Sequence, residues 1–344
     1  MPLSPTDSLT RTTRLLDASG AGRAAAVREA AGLLFRGGLV AFPTETVYGL
    51  GADAGDPRAV AALYAAKGRP AFNPLIAHVP DTAAAAALGH LSDAAERLAA
   101  AFWPGPLTLV LPLRDPVAMC DLARAGLGTL AVRVPAHPVA LDLLRAAGRP
   151  IVAPSANRSG HVSPTEAAHV MQDLGGRIDA VLDAGPTEVG VESTILDCTG
   201  AVPALLRPGG LARADIARIL GHAVADAASG DAARPLAPGR LASHYAPRAR
   251  VRLDAETVAP DEALLTFAGA APPGADAAMA VFDLSPAGDP VEAAANLYGA
   301  LRRLDAAGAR GIAVVPLPQA GLGEAIADRL RRAAAPRSTE IEGG

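Results

Sequence analysis

Aromatic residues are scarce: one Trp, four Tyr and six Phe make up 3% of a 344-residue chain whose residues are half apolar. The hydrophobicity therefore comes from Ala, Leu and Val, and the core is expected to be built from small side chains. Charge of one sign is not in excess either. With 31 Lys and Arg against 35 Asp and Glu, a net charge of −4 excludes a generally basic nucleic-acid coat and leaves room only for a local basic site. Cys120 and Cys198 are too few for a disulfide framework and sit in no zinc spacing, so a reducing compartment, the cytoplasm, is expected. No apolar run reaches spanning length. Met1 to Ser19 has neither an apolar h-region nor a continuous Arg-rich amphipathic face, and a soluble, unprocessed chain is the expectation.

Lysine is almost missing, since Lys67 stands alone among 31 basic residues. Two readings follow: a compact ammonium is needed where a planar guanidinium would not serve, or the residue survives by chance on a solvated helix end. Familiar motifs are absent as well. There is no G-x-x-x-x-G-K-[ST], no G-x-S-x-G and no H-E-x-x-H. The seven histidines are scattered without metal-ligand spacing, so no protein-bound metal site is expected. Gly321-Leu322-Gly323 follows a strand and opens a helix, but Ile326 replaces the third glycine of a dinucleotide fingerprint.

What is present is an alternation of helical and β-like segments over a length that suits about two domains. Helices are predicted at Ala24–Phe35, Pro57–Ala66, within Asp81–Phe102, at Pro138–Ala147, from Pro164 to Leu174 and at Asp215–Leu220. Strands are predicted at Leu39–Phe42, Leu75–Val79, Leu107–Leu111, Leu130–Val134, Ile151–Ala153, Ala180–Asp183, Ser193–Asp197 and Ala204–Arg207. Too many late strands follow one another for a simple doubly wound sheet. Gly221 to Leu236 loses apolar periodicity and reads as a linker, running into Pro238-Gly239-Arg240 and Ser243-His244-Tyr245-Ala246-Pro247. A smaller unit follows, with strands at Val251–Leu253, Ala263–Phe267, Ala278–Leu284 and Gly311–Pro316 and helices at Pro290–Ala306 and Gly323–Ala334.

Six polar clusters lie at the ends of apolar β runs: Thr44-Glu45-Thr46 with Tyr48; Lys67, Arg69, Asn73 and His78; Thr129 with Arg133; Ser155, Asn157, Ser159 and Ser163; Glu192-Ser193-Thr194; and Arg207. Strand ends of an α/β sheet line clefts. Together these groups supply cations for phosphates and a carboxylate, with hydroxyls and amides for a small polar ligand. Each cluster taken alone is also ordinary capping and turn chemistry. Arg133 suits a buried ion pair as well as a ligand contact, His78 suits the core, and Ser155 and Asn157 suit a turn after Pro154. Trp103 reads as core or loop packing.

Pro43-Thr44-Glu45-Thr46-Val47-Tyr48-Gly49-Leu50-Gly51, Lys67-Gly68-Arg69-Pro70 with Asn73-Pro74-Leu75, and Trp103-Pro104-Gly105-Pro106-Leu107-Thr108 are three of six ordered strings. Val132-Arg133-Val134-Pro135, Pro154-Ser155-Ala156-Asn157 and Glu192-Ser193-Thr194-Ile195 complete them, and the set resembles the threonylcarbamoyl-AMP synthase family. His244-Tyr245-Ala246-Pro247 and Gly321-Leu322-Gly323-Glu324-Ala325-Ile326 resemble its longer, two-domain branch. The resemblance implies an α/β fold: a YrdC-like twisted open mixed sheet with helices over residues 20–220, a linker acting as a lid over 221–249, and a smaller Rossmann-like α/β C-terminal domain over 250–340. It also implies synthesis of L-threonylcarbamoyl-adenylate and pyrophosphate from ATP, L-threonine and bicarbonate or carbon dioxide. Mg²⁺ would be bound mainly through ATP phosphates, and the product passed to a tRNA threonylcarbamoyl transferase complex.

Carried over by position, Thr46, His78, Arg133, Ser193 and the backbone at Ala153 would contact threonine. Arg69, Asn73, Thr129, Ser155, Ser163, Arg207 and Tyr245 would hold the nucleotide, with Lys67 and Arg69 as the catalytic cations at the phosphates. The linker departs from the family, having Arg240-Leu241 where a Met-Lys pair is usual, so Arg240 is the substitute to consider. An RNA-binding module of the same fold and a carbamoyl-phosphate-dependent transferase are the alternatives. The acidic balance and few aromatics oppose strong RNA binding, and the C-x-x-C segments of the second are missing.

Overall fold

The computed structural model describes residues 12–227 and 244–336. Arg240 and the rest of 228–243 lie outside the described residues, as do 1–11 and 337–344. The first half opens with β1 (Arg14–Asp17), α1 (Arg23–Phe35), β2 (Val40–Pro43), β3 (Tyr48–Asp53), α2 (Pro57–Lys67) and β4 (Ile76–His78). It continues through α3 (Thr82–Leu88), α4 (Asp93–Phe102), β5 (Leu107–Pro112), β6 (Thr129–Arg133), α5 (Pro138–Ala147) and β7 (Ile151–Val152). Then come α6 (Ala167–Leu174), β8 (Ala180–Asp183), β9 (Thr194–Asp197), β10 (Ala204–Arg207) and α7 (Arg213–Leu220).

These ten strands form one mixed sheet in the order β1-β8-β2-β3-β7-β4-β6-β5-β9-β10. Two strands depart from expectation. β1 lies within Met1 to Ser19, where no element is predicted, because three of its four residues are exposed at a sheet edge and give no apolar pattern. β3, for which no strand is predicted because Gly49 and Gly51 interrupt any apolar alternation, is buried at every residue. A Cβ on Gly51 would lie 3.0 Å from both the Phe42 ring and the Val40 carbonyl, so glycine there lets neighbouring strands close on the backbone.

Local chemistry fixes where α2 ends, and hence where Lys67 and Arg69 emerge. Asp56 caps its start by accepting from the Arg58 amide at 2.8 Å, and Pro57 occupies the first turn. Gly68 ends it at φ 61°, a left-handed conformation that costs glycine little. Trp103 packs in the core and donates Nε1–H to the Leu107 carbonyl at 2.7 Å.

The remaining chain forms β11 (Arg250–Arg252), β12 (Glu262–Thr266), β13 (Val281–Asp283), α8 (Pro290–Ala306), β14 (Gly311–Val314) and α9 (Leu322–Ala334). All strand pairs in this second sheet are parallel, in the order β11-β14-β12-β13. Gly323 belongs to packing, since a Cβ there would sit 2.0 Å from the Pro318 carbonyl oxygen. The core around Leu297, Leu301, Ile312, Ile326 and Leu330 also takes in Val47, Val162 and Val191, so the two sheets share apolar side chains. Among the described residues no helix is long and apolar enough to cross a membrane.

Candidate active site

One end of the central strands gathers the polar clusters. β4 and β6 run parallel and finish side by side, with His78 registered against Arg133. β5 and β9 start at that same end, with Thr108 opposite Arg133. A pocket opens there. Its lining includes Thr44, Thr46, Arg69, His78, Arg133, Ala153, Ser155, Glu192, Ser193, Arg207, His244 and Tyr245.

Nine of the expected residues line it directly: Thr46, Arg69, His78, Arg133, Ala153, Ser155, Ser193, Arg207 and Tyr245. Lys67 reaches the wall from behind, donating Nζ–H to the carbonyls of Ser155 at 2.6 Å and Asn157 at 2.5 Å. Ser163 stands one bond back, donating to Glu192 Oε1 at 2.5 Å. Asn73 lies beside Arg69, whose Nη2 points to the Asn73 and Pro74 carbonyls at 3.4 and 3.2 Å. Thr129 is outside the lining, at the other end of β6 from Arg133. Strand alternation nevertheless puts Thr129, Ala131 and Arg133 on one face. On that face Ile76, Val110, Ala131, Ile195 and Leu206 form a separate small apolar cluster, which makes a floor beside the polar pocket.

Arg133 combines the two roles between which its sequence position left a choice. It pairs with Glu45 at 2.6 Å, bonds Thr46 Oγ1 at 2.9 Å and the Gly105 carbonyl at 3.2 Å, and still lines the pocket. Three of its five N–H groups are thus used, leaving two for a carboxylate. His78 Nδ1 is 3.1 Å from the Ile76 carbonyl, an arrangement in which Nδ1 carries the proton and Nε2 is an acceptor. Burial, then the Arg133 charge, pushes its pKa down to about 3, so the ring is neutral. Ser193 Oγ lies 2.8 Å from Thr108 Oγ1, while Arg207 Nη2 donates to the Ser193 carbonyl at 2.8 Å.

The cations are desolvated and crowd one another. Burial and the neighbouring Arg69 hold the Lys67 ammonium well below its ordinary range, and burial brings Arg69 to about 10. Anionic oxygens placed among them would relieve this repulsion. Buried polar atoms of four expected site or linker residues have no hydrogen-bond partner: Arg69 Nε and His244 Nδ1 on lining residues, and Asn73 Oδ1 and Thr129 Oγ1 outside the lining. Orphans of this kind are costly, and the two on lining residues, Arg69 Nε and His244 Nδ1, suit a polar ligand in the pocket. No cluster of three metal-ligating side chains occurs among the described residues. Glu192, the carboxylate in the pocket lining, has both oxygens engaged.

Sequence reasoning missed the partners of Glu192. Its Oε2 accepts from Tyr298 Oη and from Arg329 Nε, both at 2.8 Å, and these come from α8 and α9 of the second sheet. Despite burial, the Arg329 and Arg207 charges and the Ser163 hydroxyl bring its carboxyl to about 2. One arginine among thirty on an amphipathic helix carries no signal for such a role.

A family model described as "Telomere recombination" matches residues 32–209, and one described as "Threonylcarbamoyl-AMP synthase, C-terminal domain" matches 211–335. The threonylcarbamoyl-AMP synthase of Pyrococcus abyssi is 44% identical over 332 residues, covering 92% of this chain and 96% of that protein. The Bacillus subtilis enzyme of the same name is 42% identical over 326 residues, covering 90% and 93%. The crystal structure of the P. abyssi protein complexed with L-threonine superposes with a TM-score of 0.85 at 40% identity, over 94% of this chain and 98% of that one. With the ordered strand-end strings gathered at one pocket and both sheets matched, the chain belongs to the threonylcarbamoyl-AMP synthase family.

Proposed function

We propose that this chain joins L-threonine, bicarbonate or carbon dioxide, and ATP into L-threonylcarbamoyl-adenylate, releasing pyrophosphate. The observation that carries the reading is the pocket itself, where three arginines, neutral His78 and the hydroxyls of Thr46, Ser155 and Ser193 meet beside the unpartnered Arg69 Nε and His244 Nδ1. In this reading Arg133 takes the threonine carboxylate, and Thr46, His78, Ser193 and the Ala153 backbone fit the rest of that amino acid. Arg69, Asn73, Ser155, Ser163, Arg207 and Tyr245 hold the nucleotide. The apolar floor next to Thr129 suits an adenine ring.

The chemistry asks for position and charge rather than a covalent nucleophile. Threonine's amine bonds to the carbon of carbon dioxide and gives up a proton, or displaces water from bicarbonate, to become a carbamate; a carbamate oxygen then attacks the α-phosphorus, and pyrophosphate departs. Negative charge then builds on the leaving phosphates, where the Lys67 ammonium and Arg69 guanidinium act. Magnesium accompanying ATP would be carried by phosphate oxygens, because the described residues offer no ligand set of their own. The His244–Tyr245 strap keeps water from a hydrolysable mixed anhydride. Residues 20–220 form the catalytic unit in this reading, 221–249 the lid and 250–340 the smaller domain. The product is passed in the cytoplasm to a complex that modifies tRNA adenosine next to the anticodon.

One assay tests it. Purified protein is mixed with ATP, Mg²⁺, bicarbonate and each amino acid in turn, pyrophosphate is followed, and any adenylate is identified by mass. Release that needs both threonine and bicarbonate is expected. Release with ATP alone, or none, overturns the reading.

A further inference from the structure

Arg329 lies outside the pocket lining, yet it touches three of the segments that build the pocket. Its side chain is fully buried in α9. Nε donates to Glu192 Oε2 at 2.8 Å, immediately before Ser193. Nη1 donates to the Pro208 carbonyl at 2.8 Å, immediately after Arg207. The guanidinium carbon sits 5.2 Å above the Tyr245 ring, close enough for a cation–π contact. Tyr298, from α8, adds the second bond to Glu192 Oε2 and stacks on Tyr245 with ring centroids 5.8 Å apart.

The braced segments depend on one another. Arg207 grips the Ser193 carbonyl, and the Gly210 amide donates to the Glu192 carbonyl at 2.9 Å. The same loop reaches the opposite wall, where the Val189 amide donates to the Glu45 carbonyl at 2.8 Å and Glu45 in turn holds Arg133. A planar fork with separate donors can hold Glu192 and Pro208 at once; an ammonium on a flexible stem keeps the charge without that geometry.

We infer that Arg329, with Tyr298 as its auxiliary, is a positioning residue: it fixes Ser193, Arg207 and Tyr245 relative to one another, so the second sheet sets the geometry of a pocket to which it lends no lining side chain. This rests on reading the pocket as the site for threonine and ATP. Glu192 is the joint through which the fixing acts. The arrangement bears mainly on substrate affinity, because the groups it orders bind substrates before any bond changes.

The test uses the full chain with Arg329→Lys and Tyr298→Phe, each checked for folding by circular dichroism and thermal midpoint. Steady-state pyrophosphate release is measured against both threonine and ATP. Arg329→Lys is expected to raise KM about tenfold for both substrates, with kcat per folded molecule changed less. Tyr298→Phe removes a hydroxyl from Glu192 alone, leaves the Pro208 contact intact, and is expected to raise KM for threonine about threefold while sparing ATP. A purely structural role would lower the folded fraction and leave both KM values unchanged, which overturns the inference while wild-type activity upholds the pocket reading. If Arg329→Lys does not fold, Tyr298→Phe decides, and an unchanged threonine KM there counts as refutation. A wild-type chain without threonine- and bicarbonate-dependent release rejects the pocket reading and this inference together.

Discussion

Lys67 illustrates how one side chain can be singled out by composition and explained only by its neighbours. Its ammonium is held by two carbonyl oxygens in a space that leaves the residue 3% exposed. A guanidinium is too wide for that seat, which gives a physical reason for the sole lysine. Lys67→Ala is expected to lower turnover about a hundredfold while the dissociation constant for threonine stays within about twofold, and Lys67→Arg should not rescue it. Single-turnover kinetics with calorimetry for threonine checks this, and an equal loss in both removes the proposed role at the phosphates. Arg133 differs because it is paired. Arg133→Ala strands the buried Glu45 carboxylate, so a loss of about 3 to 5 kcal/mol in urea unfolding is expected, with part regained in Glu45→Gln/Arg133→Ala. In the folded fraction, threonine affinity should fall while ATP affinity stays; the reverse would show the side chain misassigned.

At the scale of elements, most strands and helices were legible because apolar runs and caps mark them, as with α2 between Asp56 and Gly68. β1 and β3 were not, because one is too exposed and the other too rich in glycine for either to show alternation. The loop before β9 shows what tertiary packing demands of a single position. Gly190 has φ 75°, and a Cβ there would meet the Ala294 oxygen at 2.3 Å and Ala295 Cα at 2.4 Å, both backbone atoms of α8. Gly190→Ala is therefore expected to cost about 3 kcal/mol, combining backbone strain with overpacking. Gly160→Ala is the control: φ is 81° but nothing lies within 4 Å, so only strain of about 1 kcal/mol is expected. Equal midpoints for the two variants in urea would show that α8 does not bear on this loop.

For the whole molecule, burial of histidine ties stability to pH. His78 and His244 are both brought to about 3, first by burial and then by nearby arginines. As pH falls below about 6.5 the unfolded chain takes up protons that the folded chain refuses, so each ring subtracts up to about 1.4 kcal/mol per pH unit. Glu192, at about 2 when folded, steepens the loss once pH drops below its ordinary 4.5, because there too the unfolded state protonates first. Unfolding free energy should therefore decline from pH 6.5 downward, with a shallower slope in His78→Gln. A wild-type curve level to pH 5 would contradict the neutral assignment of both rings.

The sequence by itself determined the alternating elements, the lone lysine and the ordered polar strings, because these depend on neighbours a few residues apart. It also pointed to seven of the residues that line the pocket, Thr46, Arg69, His78, Arg133, Ser155, Ser193 and Arg207, through polar clusters at the ends of apolar runs, whereas Ala153 and Tyr245 followed only from the family resemblance. Only the tertiary structure decided that Arg133 is paired with Glu45, that Thr129 lies along the face rather than in the lining, and that Arg329 braces Glu192 from 137 positions away. Such contacts are fixed by how two sheets share a core, and no local pattern encodes which of many arginines is carried into it.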